Sequence, residues 1–249
     1  MDYFIIAKNE ELNITKCIES IVHLNSPITL LDSGSNDRTI EIARKYPVVI
    51  ENYNYRSHCD TYNAITTRFS SGECVIIDAD MEISPQLHAD IIHGLTMRDV
   101  VIAQVSLFWE GQPLKLGGLY PPKPIAFKYG QAYFDALGHG EALKTDIPAY
   151  YSDQCLIHND LKPYSAFLET QLRYSAKLIE RMGCSRGNWR DKFRLNTPFI
   201  IFLSPLYSLF TKRGVFSQLG WLYALDRLIA EAIMFRQSLA SKLKKRRSG

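Results

Sequence analysis

Cys74-Val75-Ile76-Ile77-Asp78-Ala79-Asp80 decides how the rest of the chain is read, because an apolar run of strand character leads straight into two carboxylates. Residues i and i+2 of an extended segment project to the same side, so Asp78 and Asp80 are placed to address one divalent cation or one nucleotide at the open edge of a sheet. Alone, the pattern is weak. A carboxylate here can equally cap the helix that Pro85 announces, with Asp80 or Ser84 as the capping residue.

The first hundred residues alternate short β-rich runs with helical patterns, which predicts parallel β-α units. Tyr3 to Ala7 reads as a buried strand, followed by a helix with Leu12, Cys17, Ile18, Ile21 and Val22 on its apolar face. Thr29 to Leu31 is a second strand ending at Asp32. Ser33-Gly34-Ser35-Asn36-Asp37 then makes a turn, and Asn36 or Asp37 caps the next helix. Val48 to Ile50 is a third strand, Asp60 to Phe69 and Pro85 to Leu95 are helices, and Val100 to Leu107 is a further strand. From Phe108 to Gly130 the text turns to Gly, Pro and aromatic residues, with short strands around Ile125 to Lys128, the place for an acceptor-side excursion. Helices are expected again over Leu161 to Met182 and about Leu219 to Leu243. The simplest division is a catalytic domain over 1–190 and an amphipathic, basic helical tail over 191–249.

With 249 residues, 46% of them hydrophobic and 22% charged, the chain supports one substantial core, and a net charge of +3 is too small to argue for nucleic acid. The charge is uneven: Lys242, Lys244, Lys245, Arg246 and Arg247 crowd the terminus, as a solvated tail or as a contact with an anionic membrane. Cys17, Cys59, Cys74, Cys155 and Cys184 are scattered and form no C-x-x-C pair, which points to reduced thiols in a cytosolic setting. Tyr3 to Ala7 is too short for a secretory signal, and Pro198 to Phe210 falls short of the roughly 20 residues that span a bilayer. The latter stretch can still lie on a membrane, with Lys212, Arg213, Trp221 and Tyr223 following it; ordinary packing on the core or on a second subunit is the plainer account.

Polar stations follow three of the strands: Asn9 and Glu10 after the first, Asp32 after the second, Asp78 and Asp80 after the fourth. Open α/β sheets bind ligands at this carboxyl rim, so the spacing favours a nucleotide site. Each station has a plain structural account as well: Asp32 in an Asx-turn, Glu10 as a first-turn helix charge, Asn63 as a helix residue.

Ala7-Lys8-Asn9-Glu10-Glu11 with Asn13-Ile14, Leu31-Asp32-Ser33-Gly34-Ser35-Asn36-Asp37-Arg38-Thr39 and Ile77-Asp78-Ala79-Asp80 together resemble family-2 glycosyltransferases of the GT-A fold. The resemblance implies an α/β, Rossmann-like mixed but mainly parallel sheet flanked by helices. It implies a UDP-sugar donor, with Asp32 accepting from the nucleobase and Ala7, Asn9, Glu10, Ser35 and Asn63 near the nucleoside. Asp80 would ligate magnesium or manganese on the diphosphate, and Asp78 would contact the ribose or reach the cation through water. Neutralising the departing diphosphate is the main electrostatic demand of such a reaction.

His139-Gly140-Glu141, Leu156-Ile157-His158-Asn159-Asp160-Leu161-Lys162 and Gln171-Leu172-Arg173-Tyr174-Ser175-Ala176 resemble bacterial lipopolysaccharide core β-glucosyltransferases, although Gly140 interrupts their His-Glu pair. An inverting transferase needs a base within reach of the acceptor hydroxyl. Glu141 is the first candidate, with Asp135 and Asp160 behind it, and His158 is a further metal ligand, a diphosphate contact or a loop-orienting histidine. The Q-x-x-R-W motif of processive relatives is absent, which implies addition of a single sugar.

The expectation is therefore a metal-dependent hexosyltransferase, peripheral to the inner face of the cytoplasmic membrane, acting on a lipid-linked or cell-surface glycan such as lipopolysaccharide core, with a homodimer possible. The rivals are a degenerate, non-catalytic binding subunit and a peptide or protein glycosyltransferase. A nucleotidyltransferase is disfavoured, because Ala7-Lys8-Asn9-Glu10 supplies no Gly-rich triphosphate loop.

Overall fold

A computed structural model of the protein describes residues 1–115, 120–137, 140–144, 147–183, 197, 199–211 and 213–247. The chain divides into two compact units, Met1–Pro113 with Tyr120–Leu161, and Leu114–Leu119 with Lys162–Gly249. The expected boundary at residue 190 lies outside the described residues.

In the first unit the apolar runs pair as parallel neighbours. Strand β1 (Asp2–Ala7) lies between β2 (Ile28–Asp32) and β4 (Glu73–Asp78), and β3 (Val49–Asn52) pairs with β2 on its other side. These strands are connected by α1 (Ile14–Ile21), α2 (Thr39–Ala43) and α3 (His58–Thr66). After β5 (Met81–Glu82) and α4 (Pro85–Met97), the sheet turns antiparallel and then parallel again. Here β8 (Lys123–Lys128) is inserted between β4 and β6 (Val100–Trp109), β11 (Ala149–His158) runs parallel to β6, and β5 closes the edge antiparallel to β11. The short β7 (Gln112–Pro113) folds back on β6, while β9 (Phe134–Leu137) and β10 (Gly140–Leu143) make a separate hairpin. The result is the mixed, mainly parallel α/β sheet that the sequence led us to expect.

Both faces of the sheet are covered. Tyr3, Ile5, Leu30, Val75 and Ile77 pack with α1 and α4, and Phe4, Ile6, Leu31, Cys74 and Ile76 pack on the opposite face with Tyr62, Phe127 and Phe134. That alternation along β1 and β4 is the period of two of a strand, and burial of both faces explains why these segments are apolar throughout.

Two local outcomes sharpen the sequence reading. Ser84 caps α4 by accepting from the Leu87 amide at 3.1 Å with Pro85 in the first turn, so Asp80 has no capping role there. Strand β4 ends at Asp78, and Ala79 and Asp80 lie in a turn, so the two-residue period that would align both carboxylates stops before Asp80.

The second unit contains α5 (Tyr164–Gly183), α6 (Ile200–Thr211) and α7 (Gln218–Arg247), with a 3₁₀ turn at Gly214–Phe216 joining the last two. Gly220 sits so close to that turn that a Cβ would lie 2.4 Å from the Gly214 carbonyl oxygen. The first turn of α7 therefore packs backbone to backbone on that 3₁₀ turn. No described helix is long and apolar enough to cross a membrane.

Candidate functional site

Ala7, Asp32 and Asp78 stand at the carboxyl ends of three adjacent strands, with Ala7 opposite Asp32 and Ile6 opposite Asp78 in register. The loops that follow β1 and β2 are sewn together by polar contacts. Asp32, buried at 7% exposure, accepts from the Gly34 amide at 3.0 Å, the Ser35 amide at 3.1 Å and the Ser35 hydroxyl at 2.5 Å. The Ser35 hydroxyl in turn accepts from the Asn9 amide at 2.9 Å, and the Asn9 side chain accepts from the Asn36 amide at 2.8 Å. Asn9 holds a left-handed backbone, φ 57°, which asparagine tolerates better than most residues.

Further along, the Glu10 amide donates to the Thr39 hydroxyl at 2.8 Å, and the Glu11 amide donates to Asp37 at 3.1 Å. Asp37 also accepts from the Thr39 amide at 3.0 Å. Burial alone would raise its pKa, but these bonds, from Thr39 above all, hold the Asp37 carboxyl below its ordinary value. Lys8, Ser33, Gly34 and residues Asn52 to Tyr55 line a cleft of about 440 Å³ beside these loops. Asn9, Asp32 and Ser35 are thus joined by hydrogen bonds, while the cleft itself is lined by their neighbours Lys8, Ser33 and Gly34.

The two carboxylates of the central motif have different partners. Asp78 is ion-paired with Lys123, itself only 8% exposed and 5.8 Å from the centre of the Tyr62 ring. The other Asp78 oxygen, Oδ1, is buried without a hydrogen-bond partner and has His58 Nδ1 at 3.9 Å. Asp80 Oδ2 lies 3.4 Å from His158 Nε2 because β11 pairs with β5 in a register that sets His158 against Met81. Burial disfavours the imidazolium, but the charge and hydrogen bond of Asp80, with Asp160 and Asp78 beyond, raise the His158 pKa above its usual value. The same negative field acts on Cys17, whose thiol is pushed up first by burial and then by Asp80, Asp78, Glu10 and Glu82.

Among the described residues, no group of three or more His, Cys, Asp or Glu side chains is assembled to hold a metal ion. The donor set suits a cation that arrives with its substrate. Asp80 and His158, 3.4 Å apart and with the buried His158 Nδ1 lacking a protein partner, are the two residues that would hold it.

Asn13, 2% exposed, ties the acidic rim together. Its amide nitrogen donates to Glu10 at 2.7 Å and to Asp160 at 2.8 Å, while its oxygen accepts from the Leu161 amide at 2.8 Å. Glu10 and the candidate base Asp160, far apart in sequence, are thereby brought to one side chain. Asp135 is exposed on β9, with Ala142 opposite in register. Glu141 is paired by its backbone with Ala136, and its side chain, like all of His139, lies outside the described residues. Asn63 spends its amide on strand β9, donating to the Phe134 carbonyl at 3.0 Å and accepting from the Phe134 amide at 2.9 Å.

Lys123 is a functional candidate that the sequence did not single out, since its partner Asp78 lies 45 residues away. Asn13 stands in the first motif, but its bond to Asp160, 147 residues away, carries no local signal.

Several solved structures are similar to this chain, all distantly. TarS from S. aureus matches at 13% identity and a TM-score of 0.47 over 95% of this chain and 55% of that one, so the chain spans about half of that protein's length. TarS 1-349 in complex with UDP-GlcNAc matches at 13% identity and a TM-score of 0.46, covering 97% and 91%. Glucosyl-3-phosphoglycerate synthase from Mycobacterium tuberculosis, in complex with Mn2+, UDP-Glc and phosphoglyceric acid, matches at 21% identity and a TM-score of 0.36, covering 42% and 43%. No curated protein matches the sequence. The family model for glycosyl transferase family 2 matches residues 3–135, just over half the chain, and takes in the loops, the carboxylate pair and the strands that position them. With the rim residues at the strand ends where that match runs, the chain belongs to glycosyl transferase family 2.

Proposed function

We propose that the protein is an inverting, non-processive hexosyltransferase that moves one sugar from a UDP-sugar to a lipid-linked or cell-surface glycan, such as a lipopolysaccharide core, at the inner face of the cytoplasmic membrane. One observation carries the donor site. The loops after β1 and β2 are cross-bonded through Asp32, Ser35 and Asn9 beside a cleft, while Asp80 and His158 pair at the same rim.

In this reading Asp32 offers its remaining lone pairs to uracil N–H, and Ala7, Asn9, Glu10 and Ser35 line the nucleoside. Asp78, held by Lys123, faces the ribose. Asp80 and His158 would hold magnesium or manganese, which would supply positive charge against the departing diphosphate. A carboxylate among Glu141, Asp135 and Asp160 takes the proton of the acceptor hydroxyl. The acceptor oxygen then bonds to the anomeric carbon on the face opposite the diphosphate, the carbon–oxygen bond to UDP breaks, and UDP leaves with the electron pair. Asn63 serves by clamping β9, the strand that carries Asp135.

Calorimetry with UDP, GDP and CMP, with and without manganese, tests the donor site on the native chain and on Asp80→Ala. Manganese-dependent binding of UDP that vanishes in the variant is the expected result. Absence of nucleotide binding in every condition would reduce the acidic rim to a structural role and favour a non-catalytic subunit.

A further inference from the structure

Helices α6 and α7 have their polarity reversed relative to helices that face water. A water-facing helix turns polar residues outward and apolar ones inward. Along α6 and the residue before it, Phe199, Phe202, Leu203, Leu206, Tyr207 and Phe210 are exposed at spacings of three and four, with Phe199 at 75% and Phe210 at 67%. Among its described residues Pro205, Ser208 and Leu209 are buried, and the half-buried Ser204 accepts from Arg227 at 3.3 Å.

Helix α7 repeats the inversion. Trp221, Leu222, Leu225 and Ile229, and further along Leu239 and Leu243, are exposed on one face that also carries Arg236, whereas Asp226, Glu231 and Ser238 are buried among Tyr223, Ala224, Ala230 and Met234. Glu231, 2% exposed, accepts from Arg227 at 3.1 Å, and Gln237 meets the buried Ser175 hydroxyl of α5 at 2.5 Å. Tyr223, expected among the surface rings, is instead buried at 3% because it falls on the inward face of this stripe pattern.

Small and polar residues between helices, with large apolar residues outside, is the arrangement used where the surrounding solvent is hydrocarbon. Single exposed leucines are ordinary, but apolar faces on two neighbouring helices are not. The cations choose the occupant. Lys212 and Arg213 follow α6, and Lys242, Lys244, Lys245, Arg246 and Arg247 end α7. A second copy would add charge of the same sign, while an anionic bilayer offers opposite charge together with an apolar interior.

We propose that the α6–α7 hairpin lies in the plane of an anionic bilayer surface, its aromatic and aliphatic face among the acyl chains and the basic end of α7 on the headgroups. This inference rests on the reading of the acceptor as lipid-linked, and it names the surface that would bring the enzyme to that acceptor. The hairpin does not span the bilayer, in keeping with helices too short or too charged to cross.

The test is flotation of the full chain with phosphatidylcholine vesicles, with and without phosphatidylglycerol. It is run on the native protein and on the double variant Phe202→Ser, Phe210→Ser, with UDP binding measured on the same samples. Native protein should float with the anionic vesicles, the double variant should bind about tenfold or more weakly, and UDP binding should be equal in both. Native protein that ignores the vesicles, or a variant that floats as well as the native chain, overturns the proposal. So does a tight lipid-free dimer that the two substitutions dissociate. Because UDP binding is read separately, a failed donor site and a failed membrane face give different results. Leu225→Gln on α7 provides a second variant should the first fold poorly.

Discussion

Asp80 and His158 face each other across 3.4 Å, carboxylate oxygen to imidazole nitrogen, although 78 residues of chain separate them. The pairing comes from β5 and β11, and it would give the proposed donor site one anionic and one nitrogen ligand. Replacing Asp80 with alanine should lower turnover about 100-fold or more, because the charge of the leaving diphosphate is then met by less of the protein. His158→Gln should cost less and should raise the manganese concentration needed for half-maximal rate. Steady-state kinetics over a manganese titration checks both, and an Asp80→Ala enzyme of native rate would remove Asp80 from the site.

Lys123 is buried against Asp78, so removing one partner strands the other. Lys123→Met should destabilise the fold by about 3–5 kcal/mol, whereas Lys123→Met with Asp78→Asn should recover much of that loss. Urea unfolding of the two single variants and the double variant measures the coupling. Additive losses would mean that the pair is not coupled.

Asn13 serves three partners from a site that water hardly reaches. Asn13→Ala should cost about 2 kcal/mol, the scale of leaving a buried donor or acceptor unmet. Asn13→Asp should be worse than alanine, since it adds a carboxylate between Glu10 and Asp160. Chemical denaturation at neutral pH ranks the two, and the reverse order would contradict the geometry.

Asp37 gives the fold an acid-sensitive clasp. Its carboxyl titrates below its ordinary value in the folded chain, so its contribution is present above the unfolded value, about 4, and is lost as the pH falls through the depressed folded one. Asp37→Ala should cost about 1 kcal/mol at pH 7, the scale of a lost hydrogen bond, and less at pH 3. Urea midpoints at the two pH values supply the comparison, and an equal loss at both would show that ionisation of Asp37 is irrelevant to stability.

The parallel half of the sheet was legible because β1, β2 and β4 are short apolar runs bounded by turn residues, and because Gly34 and Asn9 mark sharp loops. The rim was legible for the same reason, since its polar residues follow those runs directly. Strand β11 was harder to see. Its register shifts between Ser152 and Cys155, which breaks the period of two that identifies a strand. Lys123 and the reach of Asn13 to Asp160 were invisible for a different reason. A lysine opening a strand and an asparagine before a helix look ordinary until distant segments bring Asp78 and Asp160 to them.

The Ser35 hydroxyl, bonded at once to Asp32 and to the Asn9 amide, bears on the thermodynamics of donor capture. Two loops already fastened to each other forfeit little chain entropy when a nucleoside arrives, so binding energy is not spent on ordering them. Ser35→Ala should therefore weaken UDP through a less favourable entropy of binding, with the enthalpy of contact largely kept, even though the hydroxyl is engaged within the protein. The pocket's affinity is in this sense set before any ligand appears, by a bond between one loop and the next.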